Sequence, residues 1–159
     1  MEWNIKSVES GDKESRMKAL SIHPYFALEM FFLEKTVECR TWKTSYRGDI
    51  LICSSAKKFK DTIPGHALCV VRLKDIVPMK KEHLEAALMY EDEYNRNQYA
   101  WILDDVRVIK PFPVKGKLSL WECDHEIEYL RVNESEEQNE WVFNEFFEPI
   151  MYHGDKEEW

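Results

Sequence analysis

The sequence predicts an α+β chain built as a small, partly open β-barrel with helical lids. The order of apolar patterns reads strand, helix, hairpin, long strand, helix, strand, short strand, with no regular β-α-β spacing, which disfavours a doubly wound sheet. The strands differ in length, and a helix is inserted directly after the first. With 159 residues, 44% of them hydrophobic and 13% aromatic, the chain suits one domain with a proper core.

Each element has its own local reason. Residues 1–16 are polar and without period, a loose arm or short helix. Lys18–Ile22 is a short apolar strand. His23 and Pro24 follow, and proline at a first helical position loses no hydrogen bond. Tyr25–Leu33 has the density of a buried helix. Val37–Trp42 and Ile50–Ser54 alternate around a polar turn holding Tyr46, Arg47 and Gly48, a central strand pair. Ala67–Val77 is a long apolar run that reads as a central strand, stopped by Pro78. Lys80–Asn95 has helical spacing through Leu84, Ala87, Leu88 and Glu91. Tyr99–Ile109 is a strand, bulged or turned at Asp104–Asp105 and broken by Pro111 and Pro113. Lys115–Gly116–Lys117 makes a turn before a last short strand, Leu118–Glu122. Glu137–Phe147 forms an amphipathic helix with Ser135 as its N-cap. Its aromatics, Trp141, Phe143, Phe146 and Phe147, must bury, most simply against the body. The units are an arm over 1–17, a domain over 18–123 and an acidic, aromatic helical extension over 124–159.

Alternation in the first strand of the central pair places Val37, Cys39 and Thr41 on one face. Glu38, Arg40 and Trp42 fall on the other, with Lys35 just before. Such a strand has one side on a core and one lining a site, or else carries ordinary solvated charges. From Lys35 to Lys60 there are seven cations and two acids, a net of +5, in a chain of net charge −8. Residues 124–159 hold twelve acids and two bases, a net of −10, so the body alone is mildly basic at +2. The low pI therefore does not exclude a nucleic-acid partner.

The four cysteines, at 39, 53, 69 and 123, form no C-x-x-C pair. That spacing argues against a zinc site, and Cys39, Cys53 and Cys69, inside apolar strand patterns, read as buried small hydrophobes. The histidines are scattered without ligand spacing, and there is no phosphate-binding glycine loop. No metal and no cofactor are expected. The polar N-terminus is not a signal peptide, and no apolar run is long enough to span a bilayer, so a cytoplasmic location is expected.

Two segments carry a family resemblance. ALSIHPYFALEMFFLEKTVECRTWKTSYRGDILICSSAKK and YAWILDDVRVIKPFPVKGKLSLWE, spanning Ala19 to Glu122, resemble the two halves of ASCH domains, a branch of the PUA-like superfamily. The resemblance implies a PUA-like β-barrel with helices at its openings. It also implies a polar cleft that binds RNA, other single-stranded nucleic acid, or a nucleotide or modified base. The matching cleft positions are Lys35, Glu38, Arg40, Trp42, Tyr46, Arg47, Ser54, Ser55, Lys57, Trp101, Lys115 and Lys117. Charge adds Lys43 and Lys58. The Ile22–His23–Pro24–Tyr25 turn departs from the Gln-Pro-Trp-like turn of many members. One bacterial branch hydrolyses acetylcytidine with a Lys, a Thr three residues later and a Glu. Here the Thr position holds Glu38, and Thr36 points to the other strand face.

Three readings follow. The first is a binding module in which Arg40, Arg47, Lys57 and Lys58 take phosphates while Trp42 or Tyr46 stacks on a base. The second is a hydrolase of a modified nucleoside or RNA, of amidohydrolase or ribonuclease type, using Lys35 and Glu38. Its structural counterpart is a plain ion pair that shapes the site. The third gives the acidic Glu134–Glu140 run an intramolecular contact over the basic cleft.

Overall fold

The computed structural model describes residues 13–14, 16–32, 34–130 and 136–154. Of the expected arm over 1–17, residues 1–12 and 15 lie outside the described residues, as do the Ser135 cap, Leu33 and Glu134, while Lys13–Glu14 and Met17 are in strands rather than a loose arm or helix. Among the described residues there are eight strands. They are β1 (Lys13–Glu14), β2 (Met17–Ile22), β3 (Val37–Arg40), β4 (Gly48–Ser54), β5 (His66–Pro78), β6 (Tyr99–Pro113), β7 (Leu120–Cys123) and β8 (Ile127–Glu128). Six form one sheet in the order β3-β6-β5-β4-β2-β7, and β1 pairs with β8 apart from it. Helix α1 (Pro24–Phe31) follows β2, α2 (Leu84–Ala87) lies between β5 and β6, and α3 (Glu136–Val142) begins the C-terminal extension.

The sheet is mixed. β2 and β4 run parallel with Leu20 opposite Ile52 and Ile22 opposite Ser54, and the other pairings are antiparallel. Residues 50–54 of β4 are buried without interruption, as expected of a strand covered on both faces. On one face Leu20, Ile50, Ile52, Leu73 and Trp101 meet Ala27 and Met30 of α1 and Val142 and Phe147 of the extension. On the other, Ala19, Leu51, Val70, Ile109 and Ile127 form a second core. A third gathers Val37, Ala100, Met79 and Ala87 under α2.

The sheet is not closed into the expected barrel. β3 and β7 are its two edges, each hydrogen-bonded to one neighbour in the sheet. It nevertheless curls steeply. The β5–β6 register shifts three times, and each extra residue adds bend and twist. β3 stands four places from β2, about 19 Å at the usual strand spacing. Yet Arg40 Nη2 of β3 donates to Ser21 O of β2 at 3.2 Å. A side chain, not a backbone ladder, spans the gap between the sheet's ends.

Other expectations change with the tertiary structure. Val37–Trp42 and Ile50–Ser54 are not a hairpin: β3 pairs with β6, while β4 lies between β5 and β2. Residues 41–47 therefore cross between separated strands rather than turn tightly. The single helix expected over Lys80–Asn95 is three short turns, at 81–83, 84–87 and 91–93. Leu88 caps α2 in the left-handed region (φ 56°) and ends it. Pro111 and Pro113 do not break β6. They lie near its end, where the ladder to β5 finishes at the His66–Pro113 pair. Asp105, at the expected bulge, has φ 50° while the strand runs on. The extension helix changes pitch at Phe143, passing into a π turn over Phe143–Phe147 and a 3-10 turn over Glu148–Ile150.

Candidate functional site

Period-2 geometry puts Glu38 and Arg40 on the same face of β3, with Glu38 opposite Trp101 and Arg40 opposite Tyr99. Lys35, just outside the strand, turns its ammonium into the protein, where it is 3% exposed. It lies 4.6 Å over the Phe26 ring of α1. It donates to Ala87 O at 2.5 Å, one of the carbonyls left unpaired at the C-terminus of α2. The Lys35 ammonium is 3.6 Å from Glu38 Oε1, and Glu38 Oε2 accepts from Arg40 Nη2 at 3.0 Å. Cys39 N also donates to Glu38 Oε1, at 3.2 Å. Lys35, Glu38 and Arg40 thus form a relay from the end of α2 to Ser21. Burial holds the Lys35 ammonium below the usual lysine range, and Glu38 opposes that shift. Burial first, and Glu38 second, push the Cys39 thiol up.

A second feature lies where β2 and β4 end side by side. Ser21 O receives Arg40, and Ser21 Oγ accepts from Trp121 Nε1 at 3.3 Å. Gly116 packs so closely that a Cβ there would meet Ser21 Oγ at 2.3 Å. Lys117 Nζ is 5.8 Å over the Trp121 ring. α1 starts immediately beyond Ile22, with His23 Nδ1 accepting from Tyr25 N at 3.1 Å. The His23 ring sits 4.2 Å from Phe59. Burial, and then nearby Lys57, lower the His23 pKa. Arg40, with Nε buried and without a hydrogen-bond partner, therefore shares one corner with the start of α1, Lys57 and the Lys115–Lys117 turn.

The remaining predicted residues divide. Trp42 stands edge-on to fully buried Trp101 at 4.8 Å, and Trp42 O accepts from Trp101 Nε1 at 3.2 Å. Trp101 is thus core, and Trp42 is half-buried against it. Exposed Lys43 reaches over Tyr99 at 5.6 Å. Lys57, Lys58, Lys115 and Lys117 are exposed. The Ser54 hydroxyl donates to Ile63 O and accepts from His66 N, so it pins a loop. Ser55 N donates to Ile22 O at 2.8 Å. Tyr46 and Arg47 are not in this corner. They precede the start of β4, and its seven residues separate them from Ser54 by about 20 Å. There Tyr46 donates to Asp49 O at 2.6 Å, and Arg47 donates to Thr44 O and Tyr46 O, each at 2.8 Å.

Ser21, His23 and Trp121 were not among the expected site residues. The Ser21–Pro24 step from strand to helix was the sequence signal for the first two. Trp121 joins through a pairing 100 residues away. Among the described residues, no group of three or more His, Cys, Asp or Glu could hold a metal ion. No helix among them is long and apolar enough to cross a membrane.

Comparison with known proteins agrees on the fold. The sequence model of the ASCH domain matches residues 20–113. A crystal structure of ASCH from Zymomonas mobilis superposes with a TM-score of 0.54 at 19% identity, covering 80% of this chain and 93% of that one. A mutant of the same protein gives 0.53 at 19% identity, covering 80% and 96%. A second mutant gives 0.53 at 18%, covering 80% and 94%. No curated protein matches the sequence.

Proposed function

This chain belongs to the ASCH domain family, and from that premise we propose that it binds RNA, other single-stranded nucleic acid or a nucleotide in the corner around Ser21. The curled sheet is read as an opened-out PUA-like barrel, residues 18–123 as the domain, 124–159 as an extension packed on it, and the cytoplasm as the location. One observation carries the reading. Arg40, Trp121 and the Lys115–Lys117 turn converge on Ser21, beside the start of α1 and Lys57. A guanidinium has five donors in a planar fork suited to phosphate or base carbonyls. Around it, exposed lysines neutralise phosphates and release counterions.

The hydrolase reading draws on the shifted Lys35 beside Glu38. Both groups are buried and their polar atoms already engaged. We therefore assign them the positioning of Arg40 rather than attack on a substrate.

The test is a titration with single-stranded RNA, single-stranded DNA and free nucleosides at two salt concentrations, with product analysis of the same samples. Three or four phosphate contacts predict a slope of log affinity on log salt of about −2 to −3 for a single strand. Raising salt from about 50 to about 200 mM would then weaken binding roughly 15- to 60-fold. No binding to any of them at low salt refutes the reading. A shortened or altered ligand moves it to the enzyme class.

A further inference from the structure

The C-terminal segment joins the loop that carries Lys57 and Lys58. Tyr152 N donates to Thr62 O at 2.8 Å, and Asp61 N donates to Tyr152 O at 2.7 Å. Lys58 Nζ lies 5.9 Å over the Tyr152 ring. Next to this bridge, His153 stands between two carboxylates. Its Nδ1 is 3.0 Å from Asp61 Oδ1, and its Nε2 is 2.8 Å from Glu148 Oε1. Asp61 is held with φ 61°, so its carboxylate is presented from a left-handed corner of the loop. A neutral imidazole has one N–H and cannot donate to both acids. The imidazolium has two and satisfies both. The arrangement is thus complete only with the proton on.

The same loop is fixed inward at other points. Phe59 is buried against the His23 ring, and Thr62 Oγ1 donates to Phe59 O at 2.7 Å. Tightening the Asp61 end therefore bears on the placement of Lys57 next to the start of α1 and of Lys58 against Tyr152. The tightening residues, 148–153, lie outside the stretch matched by the ASCH domain.

We propose that residues 148–153 form a proton-operated latch on the basic loop, in which the His153 imidazolium clamps Asp61 to Glu148 and holds the loop that places Lys57 beside the site, and loss of the proton releases it. The proposal rests on the nucleic-acid reading for its consequence, but not for its mechanism.

The groups facing His153 are Asp61 of the loop and Glu148 of the preceding 3-10 turn, with Lys58 close by on Tyr152. The two acids raise the His153 pKa above its ordinary value. A raised histidine contributes its interaction fully below its ordinary value and loses it as pH rises through the folded value. The latch is therefore closed in mild acid and opens as pH rises past the ordinary histidine range. His23 shifts the other way, so the two histidines separate along the pH axis.

The experiment is an NMR titration of the full chain from about pH 5.5 to about pH 8.5, following the histidine rings and the amides of 57–62 and 152, paired with affinity for a single-stranded oligonucleotide at each end. The latch predicts that His153 titrates above about 6.5. Amide protection of Asp61 and Tyr152 falls as it does so, and affinity drops about threefold to tenfold for two half-exposed ion pairs. His153→Ala and Asp61→Asn should hold the loop in its high-pH state throughout and flatten the affinity profile. His153 is about half exposed, so the alanine variant is expected to fold, and the Asp61→Asn protein checks the result independently. A loop whose signals ignore pH overturns the latch. A loop that loosens without changing affinity overturns its link to the site. Absence of binding at every pH overturns the nucleic-acid reading instead, and the loop signals still decide the latch.

Discussion

Glu38→Ala isolates the electrostatic centre of this protein. The substitution removes the carboxylate 3.6 Å from Lys35 and 3.0 Å from Arg40. Arg40 can turn its guanidinium toward water, since about a quarter of its side chain is exposed. Lys35 is 3% exposed and keeps only Ala87 O and the Phe26 face. Removing one partner of a buried pair costs about 3–5 kcal/mol. An upper bound comes from the lysine itself. It can give up its proton, and at pH 7 that limits the penalty to about 4.6 kcal/mol for an unfolded-state pKa near 10.4. A loss of about 3–4 kcal/mol at pH 7 is expected. The pH dependence supplies a second check. Lys35 is already lowered by burial, and without Glu38 it falls further. Between the folded value and about 10.4 the unfolded chain binds more protons, so stability relative to the unfolded state rises with pH. The gap between Glu38→Ala and the natural protein should therefore shrink from pH 7 to about pH 9. Chemical denaturation at both pH values measures it. A cost under about 1 kcal/mol, or a gap that does not narrow, would refute a charged, partner-dependent Lys35.

Other perturbations test the remaining parts. Arg40→Ala should weaken oligonucleotide binding and reduce the salt slope by about one phosphate equivalent; an unchanged slope in salt titrations would remove Arg40 from the contact surface. Phe147 is fully buried and packs 4.6 Å from Phe31, so Phe147→Ala should cost about 3–5 kcal/mol by denaturant unfolding. A cost near zero would mean that the extension contributes nothing to the core. Cys69 is fully buried, and burial pushes its thiol up to about 12. In the native protein at about pH 8 it should therefore resist thiol reagents and react only on unfolding; mass mapping of rapidly labelled protein would show otherwise by a modified Cys69.

The strand pattern was legible because period 2 is a local property. Val37–Arg40, Ile50–Ser54 and the long runs of β5 and β6 all declare themselves by alternation or apolar density. The placement of Glu38 and Arg40 on one side of β3 follows from the same rule, and the acidity of the extension is read directly from its composition. Pairing is not local. Nothing in residues 37–54 says that β3 and β4 will be parted by β6 and β5, so a polar turn between two strands looks like a hairpin. Tyr46 and Arg47 likewise stand close to Lys57 in sequence, and the seven residues of β4 between them hold them apart.

The sequence by itself determined which residues alternate, where charge accumulates and which family the chain matches, since each is written in neighbouring residues. Only the tertiary structure decided that Lys35 would be buried beneath Phe26 rather than offered to a ligand. It alone brought Arg40 across an open sheet to Ser21, and tied His153 to a loop 92 residues earlier. Those outcomes depend on how far β5 and β6 bend at their register shifts, a sum of small backbone twists that no short stretch of sequence contains.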